Sequence, residues 1–247
     1  MEKIKVPIKK YWNKRSNSYG LDKDKCVATA ETWGTVLNTL VTDGFGKRAL
    51  DVGTGTGQFA VYLAQDGFEV TAIDLSDDMI AAAQQNAEQE NLPIDFKVGD
   101  AEHLEFADNS FDVIVSRNLL WTLPQPEKAL REWKRVLKPG GRLVVSDGFW
   151  MNTTWKGMHH LVLNMLKDGF RKSSRQSLHF FWNYSGIHRS LPFYSGLNVN
   201  DASLLLEKVF FNEIKWYDTS CFTSHPYKRG KFKKKTPPPF FIAYADK

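Results

Sequence analysis

The 247-residue chain contains only two cysteines, Cys26 and Cys221, and no Cys-x-x-Cys pair. So few cysteines exclude a disulfide framework or a zinc knuckle and suit a reducing compartment. Long apolar runs are missing as well. No stretch approaches the roughly 18 residues of a membrane span, and the opening "MEKIKVPIKKYW" lacks the apolar core of a signal peptide. These absences predict a cytoplasmic protein without a membrane span. No internal repeat is visible. Charge of one sign is in slight excess, a net +5, and much of it sits in "KRGKFKKK" at 228–235, so it describes a loop more than the fold. With 42% hydrophobic and 25% charged residues, a core of ordinary size is available.

Strand and helix patterns alternate from residue 48 to 147. "RALDV" reads as a buried strand, followed at once by a glycine-rich turn. In "GQFAVYLAQDG", Phe59, Ala60, Leu63 and Ala64 share a helical face and Gly67 supplies the stop. "FEVTAIDLS" predicts a second strand ending at Asp74. Ser76 is placed to cap the helix "DDMIAAAQQNAEQEN", with Asp77 and Asp78 in its first turn. "IDFKVGD" and "SFDVIVSRN" predict two more strands, the latter with Phe111, Val113 and Val115 on one face and Ile114 on the other. Pro126 opens a helix with a buried stripe of Leu130, Trp133 and Leu137, "KPGG" ends it, and "RLVVSD" is a fifth strand. Such alternation implies a parallel sheet covered on both faces.

After Asp147 the pattern breaks, and residues 149–195 are rich in Trp, Phe, Tyr and His without a clean period. A helix resumes near "NDASLLLEKVF", with Asn200 or Asp201 as its candidate cap. "EIKWYDTS" and "FFIAYAD" predict a long hairpin closing the sheet.

The turn "GTGTGQ" carries Gly53, Gly55 and Gly57, but Gln58 stands where a dinucleotide fingerprint needs its third glycine. No Gly-Lys-Ser/Thr follows, so a phosphate loop fails too. The downstream acids say more. Asp74 lies 17 residues past Gly57, where a carboxylate can accept both ribose hydroxyls of a nucleoside. Asp100, after Gly99, could reach a purine's exocyclic amine. In an open α/β sheet Asp51, Asp74, Asp100 and the Ser116–Arg117–Asn118 turn gather beyond the carboxyl ends of the strands. Singly, each acid also reads as a helix cap; together they point to a nucleoside-bearing ligand.

"DVGTGTGQFA", "AIDLSDDMI", "GDAEHLEFADNSFDVIVSRNLLWTL" and "ALREWKRVLKPGGRLVVSD" resemble, in order and spacing, the motifs of class I S-adenosylmethionine-dependent methyltransferases. The similarity is strongest to the small-molecule branch that includes the ubiquinone/menaquinone C-methyltransferases, and it covers residues 48–147 closely and the flanks loosely. It implies an α/β, Rossmann-like fold: a mostly parallel seven-stranded sheet with an antiparallel last strand and helices on both faces. It also implies S-adenosyl-L-methionine as cofactor, with S-adenosyl-L-homocysteine as product. By the same resemblance Gly53, Thr54, Gly55 and Gly57 pass close to the methionine part, near Asp51. Asp74 would bind the ribose hydroxyls, with Leu75 beside it, while Ser76 and Met79 flank the adenine. Asp100 would accept the adenine amine, alongside Ala101 and Glu102. Arg117, Asn118 and Leu119 would form a wall facing methionine and substrate. "KKYWNKRSNSYG" resembles a segment that folds over the cofactor, where Tyr11 and Arg15 would contact the methionine carboxylate; a plain amphipathic start is the other reading. The segment "SRNLLWTLPQP" departs from the Asn/Asp-Pro-Pro-aromatic motif, which argues against methylation of amino groups in nucleic acid or glutamine.

The expected organisation is one methyltransferase domain over 1–247, with a helical segment at 1–45 over the cofactor and a helical, aromatic insertion at 149–200 as substrate lid. Methyl transfer is an in-line displacement, so positioning supplies much of the acceleration and a general base is needed only if the acceptor must lose a proton. Candidate catalytic groups in the insertion are His159, His160, Tyr184 and His188, with His179 and Tyr194 also titratable. Trp150, Trp155, Phe180, Phe181 and Trp182 are candidate pocket walls; packing of a lid is the alternative role for each. No metal is expected, because adjacent His159 and His160 on a helix point apart. Aromatic walls suit a planar, apolar or cationic small molecule. The expected function is methyl transfer to such an acceptor by a monomer or homodimer, with the methylated atom (O, N, S or C) open. An RNA methyltransferase using residues 228–235 and a non-catalytic cofactor-binding regulator are the alternatives.

Overall fold

The structure is a computed structural model that describes residues 2–16, 19, 27–41, 46–148, 182–209, 212–222 and 240–247. Two helices, α1 (Glu2–Ser16) and α2 (Val27–Val41), precede the sheet. Then follow β1 (Arg48–Val52), α3 (Gln58–Gln65), β2 (Glu69–Asp74), α4 (Asp77–Gln89), β3 (Ile94–Val98), β4 (Phe111–Arg117), α5 (Pro126–Val136) and β5 (Leu137–Gly148). The chain closes with α6 (Val199–Lys208), β6 (Asn212–Trp216) and β7 (Phe240–Asp246).

The seven strands form one sheet in the order β3-β2-β1-β4-β5-β7-β6. Pairings among β1 to β5 are parallel, and β7 runs antiparallel to both neighbours. The expected parallel sheet with a reversed last strand is therefore present. Strand alternation sorts the core into two layers. Leu50, Val52, Ile73, Ile114, Leu143 and Val145 bury one face against Leu130 and Trp133 of α5 and Leu205 of α6. Ala49, Val70, Ala72, Val113, Val115 and Val144 bury the other against Trp33 and Leu37 of α2 and Phe59 and Leu63 of α3. Reversal of β7 is fixed in register by Arg142, which donates from Nε and an Nη to the two Asp246 carboxylate oxygens at 2.6 and 2.9 Å. Planar, bidentate pairing of this kind specifies geometry as well as charge.

Local signals in the chain account for several element ends. Ser76 caps α4 by accepting the Met79 N–H at 3.1 Å, Pro126 opens α5, and Gly67 follows the end of α3 at φ 82°. Three expectations need correction. Phe111 packs with the Ile114 layer, not with Val113 and Val115, because the β4–β5 register is interrupted between Phe111 and Val113. Leu137, expected on the α5 stripe, and Lys138–Gly141, expected to end that helix, lie within β5, where residues 138–141 form that irregularity.

The cap of α6 is neither Asn200 nor Asp201. Asn198 occupies the cap position with extended φ, its side-chain oxygen accepting the Asp201 N–H at 2.9 Å. Accordingly, Asn198→Ala should lower unfolding free energy by about 1 kcal/mol, whereas Asn200→Ala, on an exposed face, should change it by less than about 0.5 kcal/mol. Urea denaturation of the two variants checks this.

Candidate functional site

The sheet order reverses direction between β1 and β4, and a crevice opens there beyond the carboxyl ends of the strands, where ligands of such sheets bind. A cavity partly open to solvent fills this position. Its floor is the loop after β1. Gly53, Gly55 and Gly57 all take left-handed φ, at 72°, 56° and 85°. At Gly53 a Cβ would also come within 2.7 Å of the Leu119 side-chain methyls, which would have to move, so the left-handed conformation is the main reason for glycine here. The N–H groups of Gly53 and Thr54 both donate to the Ile73 carbonyl at 2.9 Å, tying the loop to β2.

Three acids expected at the strand ends do converge on this cavity. Asp74 accepts the Gly55 N–H on one oxygen and the Ser76 N–H on the other, both at 2.9 Å. Burial nevertheless pushes its carboxyl above the ordinary value, against these backbone hydrogen bonds. Asp51 is almost fully buried and takes the Thr54 hydroxyl at 2.6 Å and the Ala60 N–H at 3.1 Å on a single oxygen. Burial pushes it up to about 6, opposed by the Thr54 hydrogen bond and the nearby Arg117 charge. Asp100 accepts the Glu102 N–H at 3.0 Å and pairs with Lys5 Nζ at 2.5 Å.

Arg117 and Gln58 form a unit that the glycine pattern concealed. The Gln58 side-chain oxygen accepts from Arg117 at 2.5 Å, and its amide donates to the Tyr62 hydroxyl at 2.9 Å. The Arg117 guanidinium also lies over the Phe59 ring at 4.8 Å and the Trp33 ring at 5.5 Å. The residue that spoils the dinucleotide fingerprint thus orients a cation at the cavity wall.

Helix α1 covers the rim at Asp100 and Ser76 through a polar stripe at i, i+4 and i+8. Lys5 bridges Asp100 and the buried Glu102, at 2.5 and 2.6 Å; Lys9 pairs with Asp77 at 2.7 Å; Asn13 accepts the Ser76 hydroxyl at 2.6 Å. The Lys5 ammonium is lowered by its own burial, but the hydrogen bonds and charges of Asp100 and Glu102 outweigh this and raise it. Lys5, Ile8, Trp12 and Tyr19 line the cavity. Tyr11 and Arg15 do not: Tyr11 packs edge-on against Trp12 and Tyr184, and Arg15 lies 5.4 Å from the Tyr19 ring.

Of the other expected contacts, Thr54, Leu75, Met79, Ala101, Asn118 and Leu119 line the cavity, whereas Gly57, Ser76 and Glu102 lie behind its walls. Asn118 holds a left-handed φ of 57°. Among the candidate catalytic groups, Tyr184 is fully buried in a cluster with Tyr11, Trp121 and Tyr194, and burial pushes its phenol well above the ordinary value. His188 sits against Tyr194, its Nδ1 2.8 Å from the Ser185 carbonyl oxygen. Neither lines the cavity. His159, His160, His179, Trp150, Trp155, Phe180, Phe181 and the basic stretch 228–235 lie outside the described residues, and Trp182 is exposed. Among the described residues no group of three His, Cys, Asp or Glu is placed to hold a metal, and no helix is long and apolar enough to cross a membrane. Lys5, Trp12, Phe59 and Thr122 are lining residues that motif reading missed. The i, i+4, i+8 stripe of α1 is the signal that could have found Lys5.

Residues 50–145 match the family profile described as "Methyltransferase domain". The chain is 43% identical over 102 residues to a demethylmenaquinone methyltransferase of Renibacterium salmoninarum, covering 41% of each protein. It is 38% identical over 101 residues to a ubiquinone biosynthesis O-methyltransferase of Coxiella burnetii, covering 41% of this chain and 43% of that one. The chain thus aligns with about two fifths of the length of these curated relatives. The fold is shared with a SAM-dependent methyltransferase from Aquifex aeolicus, at TM-score 0.61 and 20% identity, over 95% of this chain and 97% of that one.

Asp51 gives the site a pH signature. Its folded pKa of about 6 lies above the ordinary 3.8, so the folded state holds the proton in that window. Its stabilising effect is complete below the lower value and is lost as pH rises through the upper one. Asp51→Asn should remove this dependence. Denaturant unfolding at several pH values between 4 and 7 should show the variant gaining on the parent as pH rises.

Proposed function

We propose that this chain, which carries a class I S-adenosylmethionine-dependent methyltransferase domain over residues 50–145, transfers a methyl group to a small-molecule acceptor. One observation carries this reading. Asp51 and the Gly53–Gly55 turn after β1, Asp74 at the end of β2, and Asp100 and Ala101 after β3 line a single cavity. Because β1, β2 and β3 are successive neighbours in the sheet, they follow the order of methionine, ribose and adenine in the donor.

When bound, S-adenosylmethionine supplies an electrophilic methyl on a sulfonium. The chain's own residues would bind and orient it. Gly53 and Gly55 let the backbone approach closely, and Asp74, already fixed by two N–H groups, accepts the ribose hydroxyls. Leu75, Met79 and Ala101 flank the purine. Phe59 and Leu119 keep water from the reacting end, where charge is dispersed in the transition state and alignment matters more than proton transfer. Asp100 takes the purine amine while Lys5 keeps its second partner, Glu102. A planar aromatic acceptor is the class favoured by relatives named for quinone biosynthesis, and the aromatic rings of Trp12 and Tyr19 at the cavity suit it. A general base, where the acceptor needs one, belongs to residues 149–200. A cytoplasmic setting fits the sparse cysteines.

Asp74→Ala should weaken S-adenosylhomocysteine binding by roughly 1.5–3 kcal/mol, the scale of hydrogen bonds to a charged group. Calorimetry on the folded variant checks this, and an unchanged affinity removes the ribose assignment. Release of S-adenosylhomocysteine on addition of hydroquinone-type acceptors tests the transfer itself.

A further inference from the structure

The described cavity wall holds two cations, Lys5 and Arg117. They differ in one respect. Lys5 is paired with two carboxylates, at 2.5 and 2.6 Å. Arg117 has no carboxylate of the described residues within ion-pair distance; its polar contact is with a neutral amide, that of Gln58. A guanidinium carries five N–H donors in a fixed plane, and here one nitrogen is engaged while two aromatic rings hold the plane in place. A half-buried, pre-oriented cation whose nearby carboxylate, Asp51, acts on it only from beyond ion-pair distance lacks the direct pairing that burial of charge requires. It is a receptor for an anion entering the cavity.

Position identifies the anion. Lys5 stands at the Asp100 end, whereas Arg117 stands beside Asp51 and Phe59, at the opposite end from the purine subsite. The donor's one carboxylate is on its methionine end. Arg15, the cation that sequence reasoning placed there, is off the wall beside Tyr19 and Tyr11. We propose that Arg117, held by Gln58, Phe59 and Trp33, receives the α-carboxylate of the donor's methionine moiety. The assignment rests on the donor-binding reading above. It makes Gln58 a positioning residue and gives the fold's departure from the third glycine a function: a glycine at 58 would leave Arg117 without its polar anchor.

Two ligands separate the carboxylate from the rest of the donor: S-adenosylhomocysteine, and 5′-methylthioadenosine, which keeps the nucleoside and thioether but has no amino-acid end. Calorimetry on the full chain should show the first binding more tightly than the second. Arg117→Met should weaken S-adenosylhomocysteine roughly tenfold to a hundredfold, the range of a hydrogen bond to a charged group, and change 5′-methylthioadenosine less than about twofold. Arg117→Lys should restore part of the loss. Gln58→Glu, which keeps Arg117 but gives it a counter-ion, should reproduce the selective loss and serves if Arg117→Met unfolds. Equal weakening of both ligands, or unchanged S-adenosylhomocysteine affinity, overturns the assignment while leaving donor binding intact. Failure of the parent protein to bind either ligand overturns the donor reading itself.

Discussion

The Ile73 carbonyl is the fixed point of the site. It accepts from two successive N–H groups, Gly53 and Thr54, so the loop after β1 is hung from the end of β2. A main-chain oxygen can serve both only if the loop turns back on itself, which the left-handed φ values of Gly53 and Gly55 allow. The same turn carries the Gly55 N–H to Asp74 and the Thr54 hydroxyl to Asp51. Two acids on separate strands are thereby set by one backbone anchor. The cost is visible in the two carboxyls, both raised above their ordinary values by burial.

Much of the frame was legible because its signals are local. Period-two alternation in β1, β2 and β4 separates the two core layers, and Ser76, Pro126 and Gly67 mark element ends by backbone chemistry that a few residues determine. The errors came where a distant neighbour decides. Phe111 changes layer because β5 bulges opposite it, and α6 is capped two residues upstream of Asn200 because the chain turns in at Asn198. Arg117 was expected at the wall from its position alone, and it lines the cavity. Its partner Gln58 lies 59 residues away in sequence, and nothing near either residue announces the contact. Tyr11 and Arg15 were drawn toward the cavity by family resemblance, while the structure gives that rim to Lys5, Ile8 and Trp12, one helical face over.

The aromatic content of the chain divides by role. Trp33 is buried among Phe59, Phe222 and Phe240, and it backs the Arg117 plane. Tyr184 and Trp121 instead fill the space behind α1, stacked at 6.1 Å. Neither group is an open cage, so aromatic richness in the sequence marked packing at these positions. Trp12 and Tyr19, edge-on to each other at 5.8 Å, are the pair that meets the cavity.

The polar stripe of α1 is also a matter of phase. Lys5, Lys9 and Asn13 reach Asp100, Asp77 and Ser76 only because they recur every fourth residue on one helix. Each residue advances a helix by about 100° and 1.5 Å. Exchange of one side chain in the stripe loses one contact, but insertion or deletion of a single residue between Lys5 and Asn13 rotates one end away from its partners. The segment can therefore vary freely in composition on its outer face, as at exposed Val6, while its length between these residues is fixed.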